Sequence, residues 1–213
     1  AYAIWSCSSC HYFGIVTILN DEYYILSSVL LDAQTFGEHY YDPIRKTDYK
    51  GESALVYENN YKYSYIRTWL NTDFYNSAFA LGNSHIQTTT VDNSAATTNS
   101  SSNSYACENT QDKVFLLSFK DYINSSYGFS TSTSSTDTRY CKTTDWARAR
   151  GAYYDISSYL YNGSYWTRSP NSAYSSNYGW SSWSINPDGG YILDYHTQNP
   201  QGSVRPGLSI KIA

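Results

Sequence analysis

Trp183-Ser184-Ile185-Asn186-Pro187-Asp188-Gly189-Gly190-Tyr191-Ile192-Leu193-Asp194-Tyr195 sets the architecture. Two short runs of aromatic and β-branched residues are separated by Asn-Pro-Asp-Gly-Gly. Proline presets φ for a turn, Asn and Asp bond their own backbone, and glycine supplies the positive φ that a tight reversal needs. The stretch therefore predicts a β-hairpin, and with it antiparallel pairing in the last third of the chain.

The same signals recur outward from it. Downstream, Val204-Arg205-Pro206-Gly207-Leu208 and residues 210–212 predict a final strand. Upstream, Tyr165-Trp166-Thr167-Arg168-Ser169-Pro170 leads into short strands. At the other end, residues 12–19 read as a strand, Asn20-Asp21 as a turn and 23–29 as the returning strand, with 30–33 closing that hairpin. Residues 37–50 read as a polar loop containing His39 and Asp42-Pro43. Residues 64–79 predict a helix with Ser64 as N-cap, because Ile66, Trp69, Leu70 and Phe74 recur at helical spacing. Asn71-Thr72-Asp73 is expected to break it in two. A brief helix end and a strand follow over 85–91. The Ser/Thr/Asn tracts 92–105 and 125–138 carry no apolar period and read as surface loops. Residues 114–117 predict a short buried strand. Ser118-Phe119-Lys120-Asp121 has the form of a capping box, and 144–150 a short helix with Thr144 as N-cap and Gly151 just past its end. The expected product is a single α+β domain over 12–213, preceded by a separate N-terminal segment, 1–11. Trp69, Phe115, Leu116, Trp146, Trp166 and Leu208 are its expected core.

Composition narrows the function. The 213 residues carry a net charge of -4 with only 14 Lys plus Arg and no basic stripe, which argues against nucleic acid as a partner. No apolar run is long enough to span a membrane. The sequence begins at Ala1 and contains no Met, as expected of a mature chain whose leader has been removed. Tyr is the outlier, at 25 residues. Together with the Ser, Thr and Asn tracts it suits an extracellular or cell-surface protein, although compositional drift accounts for it equally.

Cys7-Ser8-Ser9-Cys10-His11 is the motif that carries chemistry. C-x-x-C-H is the attachment signature of c-type haem: two thiols bond one haem edge and the next residue is an imidazole that reaches the iron. A small disulfide, half of a zinc site and a redox pair are the competing readings. The zinc reading lacks a second C-x-x-C, and the redox reading lacks a thioredoxin-like βαβ context. As haem c ligands, Cys7 and Cys10 would form the covalent links and His11 would be the proximal iron ligand. Without Met the chain has no His/Met ligation, so the sixth ligand would be His39, His85, His196 or a histidine of another subunit. His39 is favoured, because it lies in a polar loop free to reach an iron.

Six ordered blocks carry a resemblance. They are Ile66-Arg67-Thr68-Trp69-Leu70-Asn71, Phe74-Tyr75-Asn76, Asp112-Lys113-Val114-Phe115-Leu116-Leu117-Ser118, Thr144-Asp145-Trp146-Ala147, Trp166-x-Arg168-Ser169-Pro170 and Val204-Arg205-Pro206-x-Leu208. Over residues 12–212 the chain resembles a bacterial extracellular domain family of unknown function. That family is similar in its C-terminal pattern to formylglycine-generating enzymes and to C-type-lectin-like proteins. The resemblance implies a C-type-lectin-like fold with a polar, variable face between residues 170 and 202. Formylglycine-generating activity is not carried over, because the C-terminal third has no cysteine. Cys107 and Cys141 flank the 112–118 block and are expected to form a structural disulfide. Arg168 and Arg205 are expected to hold the fold, and Asp188 to serve its turn rather than a calcium ion. No Ser-His-Asp or paired-carboxylate arrangement follows from the spacing, so the chain does not read as an enzyme. Asn99, Asn124 and Asn162 lie in N-x-S sequons.

Two functions follow. One is an extracellular electron carrier with one covalent haem, assembled as a homo-oligomer and, through packing of the apolar residues 1–5 on a second copy, as a filament. The other is a haem-free surface module that binds carbohydrate or protein through its Tyr/Ser/Asn-rich C-terminal face.

Overall fold

A computed structural model describes residues 13–19, 22–37, 44–49, 52–80, 83–172 and 179–211. Cys7, Cys10, His11, His39, the apolar start 1–5 and the Asn20-Asp21 turn lie outside the described residues.

Strand β1 (Phe13–Leu19) pairs antiparallel with β2 (Glu22–Ser27), with an irregularity between Ile15 and Thr17. Residues 30–33 do not close this hairpin. They form two further strands, β3 (Val29–Leu30) and β4 (Asp32–Ala33), which leave for different partners. The region expected to be a polar loop contains a second hairpin, β5 (Ile44–Tyr49) with β6 (Glu52–Val56). Arg45, Lys46 and Asp48 break up β5, so no apolar alternation announces it.

Helix α1 (Tyr65–Trp69) starts where expected: the Ser64 hydroxyl accepts from the Arg67 amide at 3.2 Å. The expected division into two short pieces at 71–73 is present, without a loop between them. The backbone widens into a π turn (Leu70–Phe74) and continues as α2 (Tyr75–Ala78). Asn71 in that turn explains the strain's persistence. Its Oδ1 accepts from the amides of Lys113 and Val114 at 2.8 and 3.2 Å, and its Nδ2 donates to the Val114 carbonyl at 2.9 Å. The helix is thereby fastened to the backbone of a neighbouring strand.

After β7 (Ile86–Gln87), β8 (Thr89–Val91) pairs with β9 (Thr110–Asp112), and β10 (Val114–Leu116) follows as predicted. Ser118 and Asp121 form a reciprocal capping box: the Ser118 hydroxyl accepts from the Asp121 amide at 3.1 Å, and the Asp121 carboxylate accepts from the Ser118 amide at 2.7 Å. Next come β11 (Lys142–Thr143) and helix α3 (Asp145–Ala149). Thr144 caps its start through the Ala147 amide. Its end is a Schellman motif: the Ala152 amide donates to the Ala147 carbonyl and the Gly151 amide to the Arg148 carbonyl, with Gly151 at φ +98°.

In the last third the predicted hairpin is present, and the expected final strand divides into two that join different sheets. Strand β12 (Tyr165–Pro170) precedes the hairpin β13 (Ser181–Ile185) and β14 (Tyr191–His196), whose turn places Gly189 at φ +76°. β15 (Ser203–Val204) and β16 (Pro206–Lys211) end the described chain. One sheet runs β1-β2-β16, with β10 and β7 sharing the other edge of β16. A second runs β14-β13-β12-β15-β4, antiparallel except where β12 meets β15. β11 lies parallel to β3. The architecture is mixed α+β, mostly antiparallel, with few short helices.

Between the sheets lies a core that includes Leu26, Leu30, Phe36, Tyr61, Leu116, Trp166 and Leu208. Phe115 is buried, and Trp69 is partly buried against this cluster. Trp146 corrects the expected core: it is 62% exposed. Helix α3 is too short to bury two faces, and it turns Ala147 inward against Ala33 and Ala152 instead. The tract 92–105 is also not purely surface, since Asn93, Thr98, Asn103 and Tyr105 are buried. In the stretch expected to be a polar, variable face, β13 is an inner strand of its sheet and wholly buried.

Arg168 ties the tract 92–105 to both sheets. Between Trp166 and Pro170 the register of β12 slips, and the Arg168 amide donates to the Leu117 carbonyl. Its guanidinium donates to the Leu116 carbonyl and the Asp121 carboxylate, each at 2.8 Å, and to the Asp92 carbonyl. Arg168→Ala leaves this buried acceptor set without its donor and is expected to cost about 3–5 kcal/mol. Arg168→Lys is expected to recover only part, because an ammonium lacks the planar fork. Trp146→Ala is expected to change stability by no more than about 0.5 kcal/mol, as for an exposed position. Urea unfolding of the three variants checks the order.

Candidate functional site

The two histidines within the described residues do not converge. The His85 Nδ1 lies 3.3 Å from the Lys211 carbonyl. Lys211 pairs with Glu22, which pairs with Leu19, so His85 is at the opposite end of β1 from Phe13. The seven residues of that strand span about 20 Å. His196 belongs to the other sheet, where its ring lies 4.2 Å from that of Trp180. Among the described residues no group of three or more His, Cys, Asp or Glu side chains could hold a metal ion.

Cys107 and Cys141 are free, buried thiols, which corrects the expected disulfide. They sit in different surroundings. The Cys141 thiol donates to the Ser28 carbonyl at 3.6 Å, beside β3, whereas the Cys107 amide donates to the Asn93 carbonyl. Burial pushes the Cys107 thiol up to about 11 and raises that of Cys141 as well, so both stay protonated and inert.

Arg205 and Arg139 act as the sequence predicted for Arg205: they hold the fold. The Arg205 guanidinium donates to the Ser27 carbonyl and the Tyr165 hydroxyl, and lies over the Tyr165 ring at 5.4 Å. Arg139, fully buried, donates to the carbonyls of Gly189, Ser134, Tyr122 and Ser130. Asp188 bonds the Gly190 amide and the Ser135 hydroxyl, as a turn residue does. Asn162 is buried and its amide donates to the Pro187 carbonyl, while Asn99 accepts from the Trp183 indole.

The feature no local spacing revealed is a groove of about 750 Å³. That volume falls within the roughly 300–1,000 Å³ of small-molecule sites. Phe13 from the start of β1, Phe74 and Ala78 from the helical segment, Val29 and Leu31 beside β3, and Trp146 from α3 make its apolar lining. The polar residues beside them are Asp32, Ser77, Lys142, Thr143, Thr144 and Asp145. Asp145 is held by Arg148, and Asp32 lies 3.6 Å from Arg150. Lys142 is exposed and has no carboxylate partner among the described residues.

Next to the groove in sequence lies an aromatic surface. Tyr140, Tyr153, Ile156, Leu160 and Tyr161 are exposed, and Ile156 is 75% so. The Arg148 guanidinium covers the Tyr161 ring at 4.7 Å, and Tyr140 meets Tyr159 edge-on at 5.5 Å. Exposed apolar side chains that cluster in one stretch of chain are candidates for contact with a partner.

Alkylation of the native protein is expected to spare Cys107 and Cys141. In denaturant, without reductant, both should be labelled. Labelling that appears only after a reductant is added would show that they pair.

No helix among the described residues is long and apolar enough to cross a membrane. No curated protein and no solved structure matches the chain. The profile of a family described as Domain of unknown function (DUF6273) matches residues 16–212, from within β1 to just past the end of β16, and includes all the described lining of the groove except Phe13. The chain belongs to the DUF6273 family.

Proposed function

We propose that this is an extracellular electron carrier, with one haem c bound through Cys7 and Cys10 and ligated by His11. The observation that carries the reading is the placement of Cys7-Ser8-Ser9-Cys10-His11 ahead of the family domain, which begins at residue 16. The motif stands outside the residues that the family profile matches, so membership of the family neither requires haem nor excludes it. Cys107 and Cys141 are buried free thiols, so the pairing that competes with haem attachment is one between Cys7 and Cys10 themselves.

Attachment is redox-neutral. Each thiol S–H adds across a haem vinyl group: a C–S bond forms, the vinyl π bond breaks, and the hydrogen goes to the adjacent carbon. When bound, the group supplies a one-electron Fe(III)/Fe(II) couple. His11 would hold the iron on one side. His39, or a histidine of a second copy, is our proposed sixth ligand, since His85 bonds Lys211 at the far end of β1 from Phe13 and the His196 ring is engaged by Trp180. One haem passes electrons only to a near neighbour, so conduction over distance would need copies stacked in a filament.

The exposed rings at residues 140–161 favour a second reading, a surface module that binds carbohydrate or protein. Tyr faces give broad contact area at little entropic cost.

Protein produced with a cytochrome c maturation system should show an intense Soret band that stays with the chain after acid-acetone extraction. Cys7→Ser/Cys10→Ser should abolish it. A colourless preparation whose intact mass is that of the bare chain would leave only the recognition module.

A further inference from the structure

We propose that the groove between Phe13, Phe74 and Trp146 seats the haem carried by Cys7 and Cys10, with Lys142 facing its propionates. The inference rests on the haem reading above and adds the place where the cofactor packs.

The argument is one of reach. His11 is two residues from Phe13, and Cys7 is six. Two residues of chain span at most about 7 Å, and six about 20 Å. A cofactor bonded to Cys7 and Cys10 and ligated by His11 is therefore confined to the neighbourhood of Phe13. Phe13 itself lines the groove, so the tether ends at the site's own wall.

The chemistry of the walls suits a porphyrin. Its faces are apolar, and Phe74, Leu31 and Trp146 offer apolar surface from three separate elements. Trp146 is otherwise unexplained: a tryptophan 62% exposed on a short helix contributes little to the fold. Propionates are anionic and need a cation or water. The groove holds two carboxylates, but Arg148 and Arg150 stand beside them, while Lys142 has no carboxylate partner among the described residues. Seating the haem here would exclude water from one face, which disfavours the more highly charged ferric iron and raises the potential.

The experiment is hydroxyl-radical footprinting of the holoprotein against Cys7→Ser/Cys10→Ser, read by peptide mass spectrometry. Trp146 should be labelled several-fold less in the holoprotein, and the exposed Ile156, away from the groove lining, should be unchanged. Lys142→Glu should keep the covalent haem and the Soret band but lower the midpoint potential, because added negative charge stabilises ferric iron. Haem attached to the chain, with Trp146 labelled equally in both proteins and no change in potential in Lys142→Glu, overturns the seat and leaves the electron-carrier reading intact. A chain with no attached haem overturns both.

Discussion

The guanidinium of Arg168 is the contact on which most of this structure depends. It donates at once to the Leu116 carbonyl, the Asp121 carboxylate and the Asp92 carbonyl. Those acceptors belong to the end of one sheet strand, to a helical turn and to a long polar loop. A buried carbonyl without a donor costs more than a satisfied one returns, so the loop must pass where the arginine can reach it. The capping box of Ser118 and Asp121 orients that carboxylate, which joins a local signal to a long-range one.

The same device recurs. Arg139 closes the tract around residues 130–134 by donating to four carbonyls, and Arg205 links the end of β2 to the start of β12. The scaffold has short strands and many irregular segments, whose carbonyls lack ladder partners. Arginine, with five donors in a fixed fork, satisfies several of them from one side chain. The Ser and Asn tracts serve the same need. Asn71 pairs with the backbone of β10, Asn103 with Pro170, and Ser182 bridges the carbonyls of Thr167 and Ser169.

This economy bears on function. A body whose interior is closed by its own polar groups leaves its surface open to variation. The groove at Phe13 and the exposed rings at 140–161 are where apolar area remains uncovered. The first adjoins the cysteine motif in the chain, and the second adjoins the first through α3.

The sequence by itself determined what depends on neighbours in the chain. Ser64, Thr144, Gly151 and the Ser118/Asp121 pair mark their termini through bonds made within a few residues, and the 186–190 turn makes its hairpin for the same reason. Tertiary structure alone decided what depends on distant partners. The charged β5–β6 hairpin hid from its pattern, the π turn at Asn71 holds because β10 receives it, and Cys107 and Cys141 stay free because burial places them in different surroundings. Trp146 was read as core from its hydrophobicity, and only the short length of α3 turned it outward. The groove assembles Phe13, Leu31, Phe74 and Trp146 from four separated segments, and chain neighbours carry no record of such a meeting. The run Cys7–His11 is the converse case: the haem reading proposed for it rests on five consecutive residues, because covalent attachment needs spacing along the chain and no fold.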